Sequence, residues 1–406
     1  MSNNIQEMQN VKSLREVNIK DKRVLIRVDF NVPMDSELNI SDDTRIREAI
    51  PTINYCIDNG AKSIILVSHL GRPQGRSNEF SLKHILKRLE RLLAKDVVFV
   101  DNLENAQVTL NTLVDGSIVL LENIRFHEGE EKNNPELSQK LASLCDIYVN
   151  DAFGTAHREQ ATTDGLAREA EVAVAGPLLA KEIHALKKAV AEAKHPLTAV
   201  VGGSKVSTKL TILKNLAPKV DTLIVGGGIA NTFLLAQGHK IGKSLAEPDL
   251  VDECKAVMKI MEEKGGHLPL PIDVVVAHHI GYDAGFRICD LDDIEDDEMI
   301  LDIGPKTSKL LEPYIKEAKT IIWNGPLGVF EMDNFKEGTR NLAKDIADAT
   351  ANGAFSIVGG GDTIAAAKVF EVADKVSYIS TGGGAFLEFL EGKTLPAIAA
   401  LQERTK

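Results

Sequence analysis

The chain has 406 residues, a length that favours two or three domains. Apolar residues make up 44% and charged residues 26%, the balance of an ordinary globular protein with enough apolar material for sizeable cores. With 47 Lys and Arg against 59 Asp and Glu, the formal charge is -12, which argues against nucleic acid or an anionic membrane as a bulk partner. A local basic cleft stays open, but its Arg and Lys must then be concentrated in one place. Met1 to Arg15 is polar with no apolar core, so no secretory segment is expected. No apolar run approaches the roughly 18 residues that span a bilayer. Cys56, Cys145, Cys254 and Cys289 lie far apart without a CxxC pair. They read as small buried apolar groups in a reducing compartment, and the cytoplasm is the expected location.

In chain order, the first half gives short β-branched runs at Val24–Phe30, Ser63–Ser68, Val97–Val100, Ser117–Leu121 and Ile147–Val149. Helical patterns such as Leu82–Leu93 lie between them. The second half repeats the style at Leu197–Val201, Thr222–Val225, Asp273–Ala277, Met299–Ile303, Thr320–Trp323, Phe355–Val358 and Val376–Ile379. Most runs are continuously apolar, as strands buried on both faces of a parallel sheet are. So many strands exceed one compact sheet. The expected fold is therefore α/β, with two doubly wound parallel-sheet (Rossmann-like) domains joined by a helix and hinge. The junction is expected near 176–196. There Gly176-Pro177 punctuates the chain, Leu179, Ile183, Leu186 and Val190 make one apolar helical stripe, and His195-Pro196 stops it. This sets domains at 1–180 and 196–393 with a linker helix at 181–195.

Ligands of open α/β sheets bind beyond the carboxyl ends of the strands. In the first half those ends carry charge: Asp29 and Asn31, then His69 and Arg72, then Glu122, Asn123 and Arg125, then Asp151, His157 and Arg158. Arg45 lies in a polar segment before the next helix. Parallel strands would gather Arg45, Arg72, Arg125 and Arg158 with His69 on one rim. Guanidinium forks match carboxylate and phosphate, so the rim suits a small, highly anionic ligand.

In the second half the strand ends carry glycine, at Gly202-Gly203-Ser204-Lys205, Gly226-Gly227-Gly228, Gly359-Gly360-Gly361-Asp362-Thr363 and Gly382-Gly383-Gly384. Glycine lets backbone approach a ligand, and a helix N-terminus favours anions. Lys205 and Lys209, four apart on one helix, would share a face above phosphates. Asp362 is placed to engage a magnesium-nucleotide.

Two better-known phosphate motifs fail. Gly226-Gly227-Gly228-Ile229-Ala230-Asn231 puts Asn231 where GxGxxG needs glycine. Gly242-Lys243-Ser244 resembles a P-loop, but Gln237 takes the first glycine position and the segment follows a helix, so it reads as a helix C-terminal turn. The acidic run Asp292–Glu298 reads as a solvated face.

Taken together, these segments resemble the phosphoglycerate kinase family along the whole chain. The likeness rests on Arg27-Val28-Asp29-Phe30-Asn31-Val32-Pro33, Ser68-His69-Leu70-Gly71-Arg72-Pro73, Glu122-Asn123-Ile124-Arg125-Phe126, Asp151-Ala152-Phe153-Gly154-Thr155-Ala156-His157-Arg158, Gly202-Gly203-Ser204-Lys205-Val206, Trp323-Asn324-Gly325-Pro326, and the last two glycine turns. The resemblance implies reversible transfer from 1,3-bisphosphoglycerate to MgADP, giving 3-phosphoglycerate and MgATP. It implies an acid site of Asp29, Phe30, Asn31, Arg45, His69, Leu70, Gly71, Arg72, Arg125 and Arg158. It implies a nucleotide site of Lys209, Glu331, Gly360, Gly361, Asp362 and Thr363, with Asp362 reaching Mg2+ through the nucleotide. Arg45, Lys205, Gly361 and Gly383 carry the catalytic expectation. Thr394 to Lys406 are expected to return to the first domain, and a monomer that closes around a hinge is expected. The acceptor is a carboxylate, already ionised at neutral pH, so no general base is needed. Charge compensation and alignment are the remaining tasks.

Overall fold

A computed structural model describes residues 11–404. The stretch Met1–Arg15 therefore lies largely outside the described residues, as do the last two positions. Two compact units emerge, one from Met1–His184 with Thr394–Lys406 and one from Ala185–Lys393.

The first unit runs β1 (Arg23–Arg27), α1 (Thr44–Asp58), β2 (Ser63–Val67), α2 (Lys83–Leu93), β3 (Val97–Val100), α3 (Ala106–Thr112), β4 (Ser117–Leu121), α4 (Pro135–Ala142), β5 (Ile147–Asn150), α5 (Leu166–Glu169), β6 (Val172–Ala175) and α6 (Pro177–Leu186). Its six strands are all parallel, in the order β3-β4-β2-β1-β5-β6. All five residues of β2 are buried, which is why its sequence shows no alternation. β1 is central, with β2 and β5 on its two sides, so the crevice beside its carboxyl end is where such sheets take ligands. β6 escaped sequence reading because its Val-Ala alternation is short and small. A C-terminal helix packs on this unit: Ala397 N–H donates to Ala156 O at 3.1 Å, and Arg404 Nη2 donates to Ala170 O at 2.6 Å.

The second unit runs β7 (Leu197–Gly202), α7 (Val206–Leu216), β8 (Thr222–Gly226), α8 (Gly227–Ala236), α9 (Val251–Glu263), β9 (Asp273–Ala277), β10 (Phe286–Asp290), β11 (Met299–Ile303), α10 (Pro305–Lys316), β12 (Thr320–Asn324), α11 (Glu337–Ala351), β13 (Phe355–Val358), α12 (Gly361–Val369), β14 (Tyr378–Ile379) and α13 (Gly384–Leu390). The C-terminal helix of the first unit is α14 (Pro396–Glu403). Five strands form a parallel sheet, β14-β13-β12-β7-β8. Here the structure differs from a single parallel sheet. β9 and β11 belong to a separate antiparallel sheet, β10-β9-β11. Only residues 278–285 separate β9 from β10, too few for the helical crossover that parallel pairing requires. β10 was missed because three of its first four side chains are exposed.

Three local readings need correction. The stripe of the junction helix holds for Leu179, Ile183 and Leu186, all buried, but then shifts. Lys187–Ala191 winds more widely, as a π-turn, and turns Ala189 inward in place of Val190. The C-terminal turn of α8 is Gly238, at φ 89°, rather than Gly242. Gly242 sits against the carbonyls of Glu295 and Glu298, leaving no room for a Cβ. The run Asp292–Glu298 is not all solvated. Glu298 is buried and takes two bonds from Arg287, Nε and Nη2 each at 2.7 Å, which hold its carboxyl below the usual range. All four cysteines are free, and three are buried.

Candidate active site

In the first unit the charged residues sit on loops tied to one another. Asn31 Oδ1 accepts from Gly71 N–H at 2.8 Å, and Gly71 O accepts from Arg125 Nη1 at 2.7 Å. Phe80 packs where a Cβ on Gly71 would stand. Arg45, in the first turn of α1, reaches back to Asp29 Oδ1 at 3.2 Å and Asn31 O at 2.9 Å. Arg125 is buried, yet its Nε finds no hydrogen-bond partner among the described residues, with Glu131 Oε1 only at 3.8 Å. A buried guanidinium donor left open in this way costs energy unless a ligand fills it.

His69 lies at the centre and is buried. Burial first, then Arg27, Arg125, Arg45 and Arg158, hold its ring well below the ordinary imidazole range. Four guanidinium groups thus bear on one imidazole. Phe30 and Leu70 are buried beneath the rim, Arg158 is half-buried, and Arg72 is exposed on its loop.

Sequence reasoning missed what supports the rim. Arg27, the last residue of β1, is fully buried and donates through Nε to Thr162 Oγ1 at 2.9 Å and through Nη2 to His69 Nδ1 at 3.0 Å. Thr162 in turn donates to Glu130 through its hydroxyl at 2.5 Å and its N–H at 3.0 Å. A charged residue interrupting the apolar run Val24–Val28 was the available signal. Asn123 is also fully buried. It bonds the His69–Arg72 loop and the Arg125 turn at once, donating to Leu70 O and Phe80 O and accepting from Leu70 and Arg125 N–H. Glu122 caps the approach to α2, taking Ser81 Oγ at 2.6 Å and Leu82 N–H at 2.8 Å.

In the second unit the four glycine turns follow β7, β8, β13 and β14 and lead into α7, α8, α12 and α13. They fall into two kinds. A Cβ on Gly202, Gly226 or Gly228 would strike the backbone of Pro326 or Ser204, so these glycines let turns pack on one another. A Cβ on Gly361 or Gly383 would meet nothing within 4 Å. Only the second kind borders space that a ligand could fill. Gly360 lies at φ 94°, a conformation that favours glycine, and places Gly361 at the start of α12.

Lys205 is not on the helix. It is the extended cap residue before α7 and is exposed, so the shared face with Lys209 does not follow from helical spacing. Lys209 is half-buried and bonds Asn324 Oδ1, while Asn324 Nδ2 donates to Gly359 O at 2.8 Å. Asn324, unassigned from sequence, thus joins α7 to the turn after β13. Burial lowers the Lys209 pKa, and Asp362 opposes that shift. Thr363 is buried, its hydroxyl accepting from Gly325 N–H at 2.7 Å, whereas Asp362 and Glu331 are exposed. Among the described residues, no group of three His, Cys, Asp or Glu could hold a metal ion, and no helix is long and apolar enough to cross a membrane.

The sequence profile of the phosphoglycerate kinase family matches residues 14–393. The chain belongs to the phosphoglycerate kinase family. A phosphoglycerate kinase of Wolinella succinogenes is 54% identical over 397 residues, covering 98% of each chain. One from Helicobacter hepaticus is 53% identical over 400 residues, covering 98% of this chain and 99% of that protein. The solved phosphoglycerate kinase of Coxiella burnetii superposes with a TM-score of 0.93 at 48% identity, covering 98% of this chain and all of that one. That of Pyrococcus horikoshii gives 0.77 at 34%, covering 97% and 99%. As a phosphoglycerate kinase, the chain is a phosphotransferase with a carboxyl group as acceptor. It catalyses the reversible transfer of a phosphoryl group from 1,3-bisphosphoglycerate to ADP, giving 3-phosphoglycerate and ATP in glycolysis and gluconeogenesis.

Proposed function

We propose that the two units divide the substrates, the acid on the first and the nucleotide on the second. The observation that carries this is the convergence of Arg27, Arg45, Arg125 and Arg158 on buried His69, beside an open donor on Arg125. Asp29, Phe30, Asn31, Leu70, Gly71 and Arg72 complete the acid site. Lys209, Glu331 and the turn from Gly360 to Thr363 hold the nucleotide, with the open faces of Gly361 and Gly383 toward its phosphates.

Mg2+ fits this arrangement as a passenger of the nucleotide. An exposed carboxylate, Asp362, suits magnesium bound mainly by phosphates and water, and among the described residues no group of three acidic, His or Cys side chains is gathered to hold a metal ion. Bound there, Mg2+ would offset phosphate charge. Arg45 and exposed Lys205 are the side chains we assign to the charge that spreads over the three oxygens of the transferring group. Arg45 must leave Asp29, or share itself with the substrate, to do so. The ligands have to meet with water excluded, so in-line transfer is expected to follow closure at the junction. We further propose a monomer in the cytoplasm, since free cysteines suit a reducing compartment.

The test is titration calorimetry on the full chain with 3-phosphoglycerate and with MgADP. Arg125→Ala should abolish heat from the acid and leave MgADP unchanged; Lys209→Ala should do the reverse. Loss of both ligands in either variant would sink the division.

A further inference from the structure

We propose that Arg27 acts as a positioning residue that fixes His69 in one neutral tautomer, with Nδ1 as acceptor and the proton on Nε2. Every atom needed is on β1 and the loop after β2. Arg27 is fully buried and its guanidinium has only donors. Nη2 lies 3.0 Å from His69 Nδ1, so the lone pair must be on Nδ1 and the ring proton on Nε2.

The guanidinium cannot swing away freely. Nε is bonded to Thr162 Oγ1 at 2.9 Å, and Nη1 donates to Val28 O. Thr162 is itself fixed from three sides, by Glu130 Oε1 and Oε2 and by the Tyr148 hydroxyl, which donates to Thr162 O at 2.6 Å. The chain Glu130, Thr162, Arg27, His69 therefore runs from the buried interior to the rim.

The charged groups bearing on the ring reinforce the same state. Arg27 comes from β1, Arg45 from α1, Arg125 from the turn after β4 and Arg158 from the segment after β5. All are cations, so the positive charge that a second ring proton would bring is opposed by each of them. Protonation would also need the Nδ1 lone pair that Arg27 occupies. His69 is thus a neutral N–H donor set among guanidinium groups. It can recognise an anionic oxygen through Nε2 without titrating across neutral pH. This deepens the acid-site assignment of His69 and rests on it for its functional meaning, but the tautomer itself can be read without any substrate.

The experiment is long-range proton–nitrogen NMR on the uniformly labelled full chain, with the His69 ring assigned by loss of its signals in His69→Gln. One protonated-type nitrogen at Nε2 and one lone-pair-type nitrogen at Nδ1, unchanged as pH falls through the ordinary histidine value of about 6.5, is the expected result. A proton on Nδ1, or a ring that charges near that pH, overturns the proposal. In Arg27→Met the ring is expected to mix tautomers and to titrate toward the ordinary value. A ring unchanged in that variant also overturns it. Should Arg27→Met fail to fold, the wild-type spectrum still decides. Correct tautomer with no change in 3-phosphoglycerate KM for His69→Gln would instead sink the acid-site role while leaving the tautomer assignment standing. Direct ring readout is preferred to a kinetic pH profile, because a substrate phosphate itself titrates near pH 6.

Discussion

Asn123→Ala is the sharpest probe of the acid rim, because one amide uses all four of its hydrogen-bonding valences on two loops. Nδ2 donates to Leu70 O at 2.8 Å and Phe80 O at 2.9 Å, and Oδ1 accepts from Leu70 N–H at 3.2 Å and Arg125 N–H at 3.1 Å. Alanine leaves these four backbone groups without their partner in a fully buried position. At about 1 kcal/mol each, the low end for groups that water can partly reach, the loss is about 4 kcal/mol. Stability alone would not be diagnostic. Leu89→Ala, a core truncation on α2, should cost a similar about 2–5 kcal/mol and provides the control.

The two variants should part in steady-state kinetics. Asn123 holds Leu70, the neighbour of Gly71, and the Arg125 N–H, so kcat/KM for 3-phosphoglycerate should fall roughly 10- to 100-fold in Asn123→Ala, with nucleotide KM unmoved. Leu89→Ala should unfold earlier in urea but keep both KM values. An acid KM in Asn123→Ala no different from that of the control would refute the reasoning.

Further predictions concern the second unit. Burial raises the carboxyl of Asp302 to about 8 from 3.8, despite bonds from Gly338 and Ile303 N–H. The folded state then holds its proton more tightly than the unfolded one, so this contribution is full below about pH 4 and is lost as pH climbs toward about 8. Wild type should therefore lose stability relative to the non-titrating Asp302→Asn as pH rises, measured by urea unfolding at stepped pH; a constant difference counts against it. The two kinds of glycine should also separate. Gly359→Ala drives a Cβ to 2.2 Å from Phe386 and should cost about 1–3 kcal/mol of stability. Gly361→Ala meets no neighbour and should keep its melting temperature while losing stabilisation by MgADP, both read by thermal shift.

Much of this was legible in the sequence because parallel α/β folds write their rules locally. A strand buried on both faces is a continuous apolar run, and the residues just past its carboxyl end lie at the ligand edge. Asp29, His69, Arg125 and the glycine turns could therefore be placed without coordinates. Long-range bonding was not legible. Nothing adjacent to Asn123 shows that it would bond Leu70 and Phe80, and nothing near Asn324 shows that it would join Lys209 to Gly359. The separate antiparallel sheet was hidden for a related reason. β9 is as apolar as its parallel counterparts, and only the short path to β10 reveals its pairing.

On the proposed division of substrates, the contrast between the two rims comes from what each ligand brings. 3-Phosphoglycerate is small, carries several negative charges and brings no cation, so the protein must supply formal positive charge and hold it still. That explains why guanidinium groups are anchored to backbone and to one another's loops, as Arg125 is to Gly71 and Arg27 to Thr162. Clustered cations repel, and an acidic chain of net charge -12 has the surplus to offset them elsewhere. On the same proposal the nucleotide arrives as its magnesium complex, with part of its charge already met. Backbone N–H groups at glycine turns then suffice, helped by Lys209, whose lowered pKa reflects burial rather than a crowd of cations. Added salt should therefore weaken 3-phosphoglycerate binding more steeply than MgADP binding, because screening acts on formal charges more than on dipoles held against the ligand. Equal salt slopes for the two ligands, measured by calorimetry across ionic strength, would argue that the second unit also binds mainly by formal charge.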